Sequence, residues 1–253
     1  MRPLILPLLL SVALAGCVTE GGQEKPKPSA KEASSANLNL GAAYLRQGDI
    51  ESAVSKLQKA VDLDDRNTQA HATLALAYER MGLDKEADTH YQRAVRNSKN
   101  DAVIENMYGA YLCRNERFTE AQPYLLRAAR NPRYRTPEAA YVNAGICAVR
   151  DQRLEEAEEF FRSALRIKPR HGDALWQMAS LSYERDRDLQ ARAFIERLQA
   201  VTKLPSNVLL LAHRVESRLG NGKAATEYAQ ELMNNFPESR EAAELVELRR
   251  NGG

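Results

Sequence analysis

The chain has 253 residues, 43% hydrophobic and 28% charged, and its 36 basic and 34 acidic side chains leave a net charge of +2. That near balance gives no electrostatic case for nucleic acid or for a strongly acidic partner. Three cysteines are too few to build a fold from disulfides. Ala, Leu, Glu and Arg dominate, and such side chains lose little rotamer freedom in a helix. A helical core must therefore carry the structure.

The first segment reads as an address. Met1-Arg2 is followed by an apolar stretch from Leu4 to Leu14, too short for a membrane span, which needs roughly 20 residues, but shaped like a secretory signal. Leu14-Ala15-Gly16-Cys17 follows directly and resembles the bacterial lipobox. The resemblance implies removal of residues 1–16 as a lipoprotein signal peptide, a lipid on the Cys17 thiol, and a mature chain anchored to a membrane without spanning it. Val18, where a retained lipoprotein would carry Asp, implies the periplasmic face of the outer membrane. Residues 17–36, rich in Gly, Lys, Pro, Ser and Glu, read as a flexible tether.

A repeat follows. Gly41, Ala75, Gly109, Gly145, Ala179 and His213 fall in register at spacings of 34, 34, 36, 34 and 34. Twelve residues after each stands an alanine: Ala53, Ala87, Ala121, Ala157, Ala191 and Ala225. Four further on are Leu57, Tyr91, Leu125, Phe161, Ile195 and Ala229. Small residues mark where two helices meet too closely for anything larger, and the bulky ones fill the space beside them. Gly48, Gly82 and Gly220 suit the left-handed ends of first helices. The pattern resembles the tetratricopeptide repeat. The resemblance implies an all-α superhelix, an α-solenoid of six helix pairs over units 34–67, 68–101, 102–137, 138–171, 172–205 and 206–239. A charged helix over 240–250 would cap the open end, completing a domain over 37–250. Units five and six are the irregular ones, with Ser182 at an aromatic position and His213 and Glu216 where small and aromatic residues are usual.

Nothing suggests catalysis. His71, His90, His171 and His213 share no metal-ligand spacing, and no phosphate loop or nucleophile elbow is present. No metal, cofactor or small-molecule substrate is therefore expected. The run Glu155-Glu156-Ala157-Glu158-Glu159 reads as a solvated face at a helix amino end. Repeats of this kind take peptides in the groove lined by each first helix. One groove position reads Arg46, Arg80, Arg114, Arg150, Glu184 and Arg218. It is either a basic ladder for carboxylates and carbonyls of a partner or a preference of arginine for the last turn of a helix. Leu38, Ala42, Leu45, Ala72 and Leu76 form an apolar strip that is either core or an exposed peptide seat. The clamp positions of chaperone-tail receptors are Leu38, Ala42, Thr73, Val103 and Met107 here, none of the required type. Cys113 and Cys147 lie in neighbouring first helices, as a disulfide in an oxidising compartment or as two buried thiols.

The middle of the chain is the most distinctive part. Asn106-Met-Tyr108-Gly109-Ala-Tyr111-Leu112-Cys113, then Pro132-Arg-Tyr134-Arg-Thr-Pro137, then Asn143-Ala-Gly145-Ile-Cys147 resemble the pilotin family, the type IV pilus biogenesis and stability lipoproteins. Tyr111 stands where that family has Phe. The resemblance covers the full length and accounts for the two extra residues between units three and four. It implies a protein that binds subunits of the outer-membrane secretin and promotes their localisation and multimerisation, for pilus assembly and twitching motility. It also implies a Cys113–Cys147 disulfide. A lipoprotein scaffold docking murein hydrolases, or an outer-membrane-protein assembly factor, would use the same fold and anchor.

Overall fold

The structure, a computed structural model, describes residues 28–251; the signal segment and Cys17 lie outside them. The described residues contain thirteen helices and no strand. The first helix of each pair is α1 (Ala30–Gln47), α3 (Thr68–Arg80), α5 (Ala102–Arg114), α7 (Pro137–Arg150), α9 (Gly172–Glu184) and α11 (Ser206–Arg218). The second helix is α2 (Ile50–Leu63), α4 (Asp84–Asn97), α6 (Phe118–Arg130), α8 (Leu154–Ile167), α10 (Asp188–Gln199) and α12 (Gly222–Asn235), and α13 (Arg240–Asn251) follows. Each first helix packs on its own second helix and on the first helix of the next pair, and α11 packs on α13. Contacts only between neighbours define a solenoid. The expected all-α repeat fold is the observed one.

The tether is shorter than its composition suggests. Helix α1 begins at Ala30 because Ser29 and Glu32 form a capping box, the Ser29 N–H donating to Glu32 at 2.7 Å and Glu32 N–H to Ser29 Oγ at 3.3 Å. Residues 30–36 are helical, and Ser34 is fully buried, donating to the Ala60 carbonyl at 2.8 Å and accepting from Asn67 at 2.9 Å. Low apolar content hid this turn, whose anchors are polar and lie 26 and 33 residues away.

The small residues sit where the register requires them. A Cβ added at Gly41 would stand 2.5 Å from Leu57, at Gly109 2.7 Å from Leu125, and at Gly145 2.4 Å from Phe161. Where the first helix carries Ala75, the facing residue is Tyr91. In unit six the sizes are exchanged: His213 lies on α11, Ala229 faces it from α12, and His213 Nδ1 lies 2.9 Å from the Ala225 carbonyl. Buried Glu216 is accommodated by Arg192 of α10, two bonds of 2.6 Å, and by Asn221 at 2.9 Å. Buried Ser182 meets Gln190 at 3.3 Å.

Every turn between paired helices uses one left-handed residue at the same unit position. Three are Gly48, Gly82 and Gly220; the other three are Glu116, Gln152 and Asp186, at φ of 60°, 58° and 55°. Helix α13 buries Ala242 and Leu245 and is pinned by Glu241 to Ser206 at 2.9 Å and by Glu244 to Arg214.

Candidate functional site

The stacked first helices form one continuous face, and the apolar strip divides there. Leu45 and Ala72 are buried at 5% and 0% exposure, members of core clusters and not of an open groove. Their neighbours across the repeat interface close over them, which spacing within one helix cannot reveal. Leu38, Ala42 and Leu76 are half-buried, and Leu38 and Leu76 also pack against the first core cluster.

Most of the arginine ladder is engaged within the chain. Arg80 donates to the Leu45 carbonyl at 2.8 Å, Arg150 to the carbonyls of Cys113 at 2.8 Å and Arg114 at 3.3 Å, and Arg218 to that of Tyr183 at 3.5 Å. Each guanidinium reaches back 35 to 37 residues to the last turn of the preceding first helix. There it adds a hydrogen bond at the helix end, where the carbonyls of Leu45, Cys113 and Tyr183 also accept from the turn that follows. Arg114 instead pairs with Glu79, and Arg218 adds Asp186 at 2.7 Å and Asp188 at 3.0 Å. The ladder thus acts as helix-end chemistry, carried out between repeats. Arg46, in the first unit, has no preceding described helix to reach and is exposed.

The acidic run is also more than a solvated face. Glu158 accepts from Arg162 and Arg187, each at 2.7 Å, and from Arg185 at 3.5 Å. Its hydrogen bond from Arg187, reinforced by Arg162, holds its pKa down at about 2. Unit five supplies Arg185 and Arg187, so the cluster ties units four and five together.

The cysteines do come together. Cys113 and Cys147 are both buried, their thiols unbridged in this structure, on the neighbouring first helices α5 and α7. The Cys147 thiol, with Arg150 and Arg114 nearby, lowers the Cys113 pKa, and Cys113 together with burial raises that of Cys147. Around them stands a tyrosine cluster, Tyr91–Tyr111 at 4.9 Å and Tyr108–Tyr124 at 4.9 Å between ring centroids. Tyr111 uses the hydroxyl that Phe would lack: it donates to the Asp84 carbonyl at 2.9 Å across the repeat.

The remaining motif residues anchor the lengthened connection 131–136. Asn143 donates to Asn106 at 2.9 Å and Asn106 to the Tyr134 hydroxyl at 3.2 Å, tying α7, α5 and the connection together. A pairing that periodicity gives no sign of is His71 with His90. Their Nδ1 atoms are 2.9 Å apart, and His71 Nε2 lies 3.0 Å from the Asp65 carbonyl. Burial, with His71 alongside, lowers the His90 pKa to about 4, and burial also lowers that of His71. Among the described residues no cluster of three or more metal-ligating side chains occurs.

A neighbour-packed solenoid of helix pairs, with a continuous first-helix face and no assembled catalytic group among the described residues, defines a repeat protein of the tetratricopeptide class. Models of the tetratricopeptide repeat match residues 41–82, 70–103 and 110–172. The chain is 30% identical over 242 residues to the type IV pilus assembly protein PilF of Pseudomonas aeruginosa, covering 95% of this chain and 96% of that protein. It belongs to that family. The crystal structure of PilW, described as a widely conserved type IV pilus biogenesis factor, superposes with a TM-score of 0.78 at 28% identity, covering 84% of this chain and 98% of that one. The structure of PilF from Pseudomonas aeruginosa gives 0.76 at 27% identity, over 87% and 99% of the two chains. The chain is thus a repeat scaffold of type IV pilus biogenesis, working through protein–protein contacts in that machinery.

Proposed function

We propose that this chain is a pilotin: a lipoprotein of the outer membrane, lipidated at Cys17, that binds subunits of the pilus secretin and promotes their localisation and multimerisation. The observation that carries the reading is the full-length similarity to a type IV pilus assembly protein. The Leu14-Ala15-Gly16-Cys17 sequence supports the anchor. A lipid anchor joined to a peptide-binding scaffold moves its partner by mass action: whatever the repeat face holds is carried to the membrane that holds the lipid. The contact we favour is the first-helix face of units one and two, where Leu38, Ala42 and Leu76 are partly accessible and the Arg46 guanidinium is exposed.

The test is a pull-down with the full chain from cells that make the pilus. Recovery of the secretin, weakened by Arg46→Glu, supports the reading; recovery of a murein hydrolase or a barrel-assembly subunit in its place overturns it. Cys17→Ser should leave the chain off membranes and the secretin mislocalised. Unchanged fractionation removes the lipid from the mechanism.

A further inference from the structure

The two extra residues of unit three lengthen the connection from α6 to α7, which borders a cleft. The connection from α6 to α7 stands apart from the connection between α4 and α5, and the cleft between them has a volume of about 1060 Å³. It opens at the loop edge of the solenoid, and its lining includes no position of the first-helix face in units one and two. Ligand pockets commonly measure roughly 300–1,000 Å³, so this cleft has room for a stretch of polypeptide.

Its charge is one-sided. Two carboxylates line it, and both are engaged: Asp101 accepts the Val103 N–H at 2.8 Å as the cap of α5, and Glu105, 2% exposed, accepts from Arg127 at 2.7 Å. Lys99, Arg130 and Arg133 line the same cleft, are exposed, and make no ion pair among the described residues. Between the cations lies an apolar floor that includes Val103, 42% exposed, and Leu126. The wall is held in an uncommon shape. Lys99 and Asn100 are consecutive non-glycine residues in the left-handed region, at φ of 48° and 67°, a conformation that carries strain. Asn131 braces that turn across the cleft by donating to the Asn100 carbonyl at 3.3 Å.

We infer that this cleft is a second docking site, taking an extended acidic segment of a partner protein whose carboxylates alternate with apolar side chains. Guanidinium groups match carboxylates in planar, two-bonded geometry, and three cations without an internal partner around an apolar floor complement that composition. A free inorganic anion would use the cations and leave the floor exposed. The site stands apart from the secretin reading, because it uses none of the residues placed on the first-helix face.

The experiment pans a displayed library of random dodecapeptides against the full chain in detergent, and against its Arg130→Glu, Arg133→Glu variant in parallel. Neither arginine side chain makes a hydrogen bond to a described residue, so circular dichroism should show unchanged helicity; Val103→Asp is a second variant that attacks the floor. Enriched peptides should carry Asp or Glu beside Leu, Ile or Phe. Resynthesised with a fluorophore, they should lose roughly tenfold or more in affinity on either cleft variant and nothing on Lys59→Glu with Lys223→Glu, two exposed lysines elsewhere. No enrichment, enrichment of neutral or basic peptides, or affinities unmoved by both cleft variants would overturn the inference. So would cleft-dependent sedimentation with phosphatidylglycerol vesicles without peptide binding, which would make the cleft a membrane contact.

Discussion

Arg192→Met is the sharpest test of the packing in the last two units. Glu216 is 4% exposed, and the change removes both of its 2.6 Å charge-assisted bonds, with only the Asn221 amide remaining at 2.9 Å. Breaking one side of a buried ion pair costs roughly 3–5 kcal/mol. The Arg192 side chain is itself 29% exposed, so water can enter the vacated space, and we expect the lower end, about 3 kcal/mol. Replacing both residues by Met should recover most of that loss, because the desolvated charge goes with its partner. A repeat array need not unfold in one step, so a single denaturation midpoint would blur the effect. Amide hydrogen exchange resolves it: protection in α11, α12 and α13 should fall by roughly a hundredfold, as about 3 kcal/mol implies, with units one to three little changed. A loss under about 1 kcal/mol, or a double variant no better than the single, would refute the account of how Glu216 is tolerated.

Three further outcomes are expected. The His71–His90 pair makes stability pH-dependent: both folded pKa values lie below the usual 6.5 and that of His90 is about 4, so the unfolded chain binds protons first. Stability should be complete above about pH 6.5 and decline as pH falls toward 4, by about 2–3 kcal/mol after allowing for partial exposure; a His90→Gln variant with the same urea-melt pH profile would contradict this. Gln152→Gly relieves a left-handed non-glycine turn and should raise stability by roughly 0.5–1 kcal/mol in urea unfolding; a loss would show that the Gln152 side chain contributes something its backbone angle does not reveal. Oxidation should join Cys113 to Cys147, whose thiols influence each other's titration and sit in neighbouring first helices. Closing a loop between residues 34 apart should add about 3–4 kcal/mol, whereas maleimide labelling of both thiols in denaturant after glutathione disulfide treatment would exclude the bond.

The repeat is legible in the sequence because it is a local property written six times. Gly41 and Leu57, or Gly145 and Phe161, lie sixteen residues apart, and their register alone places two helices against each other. What lies beyond one unit is much less legible. The partners of Arg80 and Arg150 are carbonyls 35 and 37 residues back, and any residue type supplies a carbonyl, so composition leaves no trace of the contact. Leu45 and Ala72 look available for the same reason: burial at a repeat interface depends on the next unit. Glu116 and Gln152 adopt left-handed turns without the glycine that announces Gly82, and two backbone bonds hold each turn. At Glu116 and Arg117 these are bonds to the carbonyls of Cys113 and Leu112; at Gln152 and Arg153, to those of Val149 and Ala148.

The motif residues show how similarity and physics divide the explanation. Asn106, Tyr134 and Asn143 stand out in the sequence only as a family pattern. In the fold they act together, as one hydrogen-bonded chain that holds the longer connection in place. That connection breaks the uniform 34-residue step, and there two consecutive loops separate into a cleft lined by Lys99, Arg130 and Arg133. A uniform repeat presents nearly the same edge at every unit. An inserted pair of residues, fixed by polar contacts, makes one position different from the rest. In a solenoid whose ladder arginines are mostly committed to its own helix ends, the cations left unpaired at that irregular position, gathered around an apolar floor, are what an anionic segment of a partner would meet.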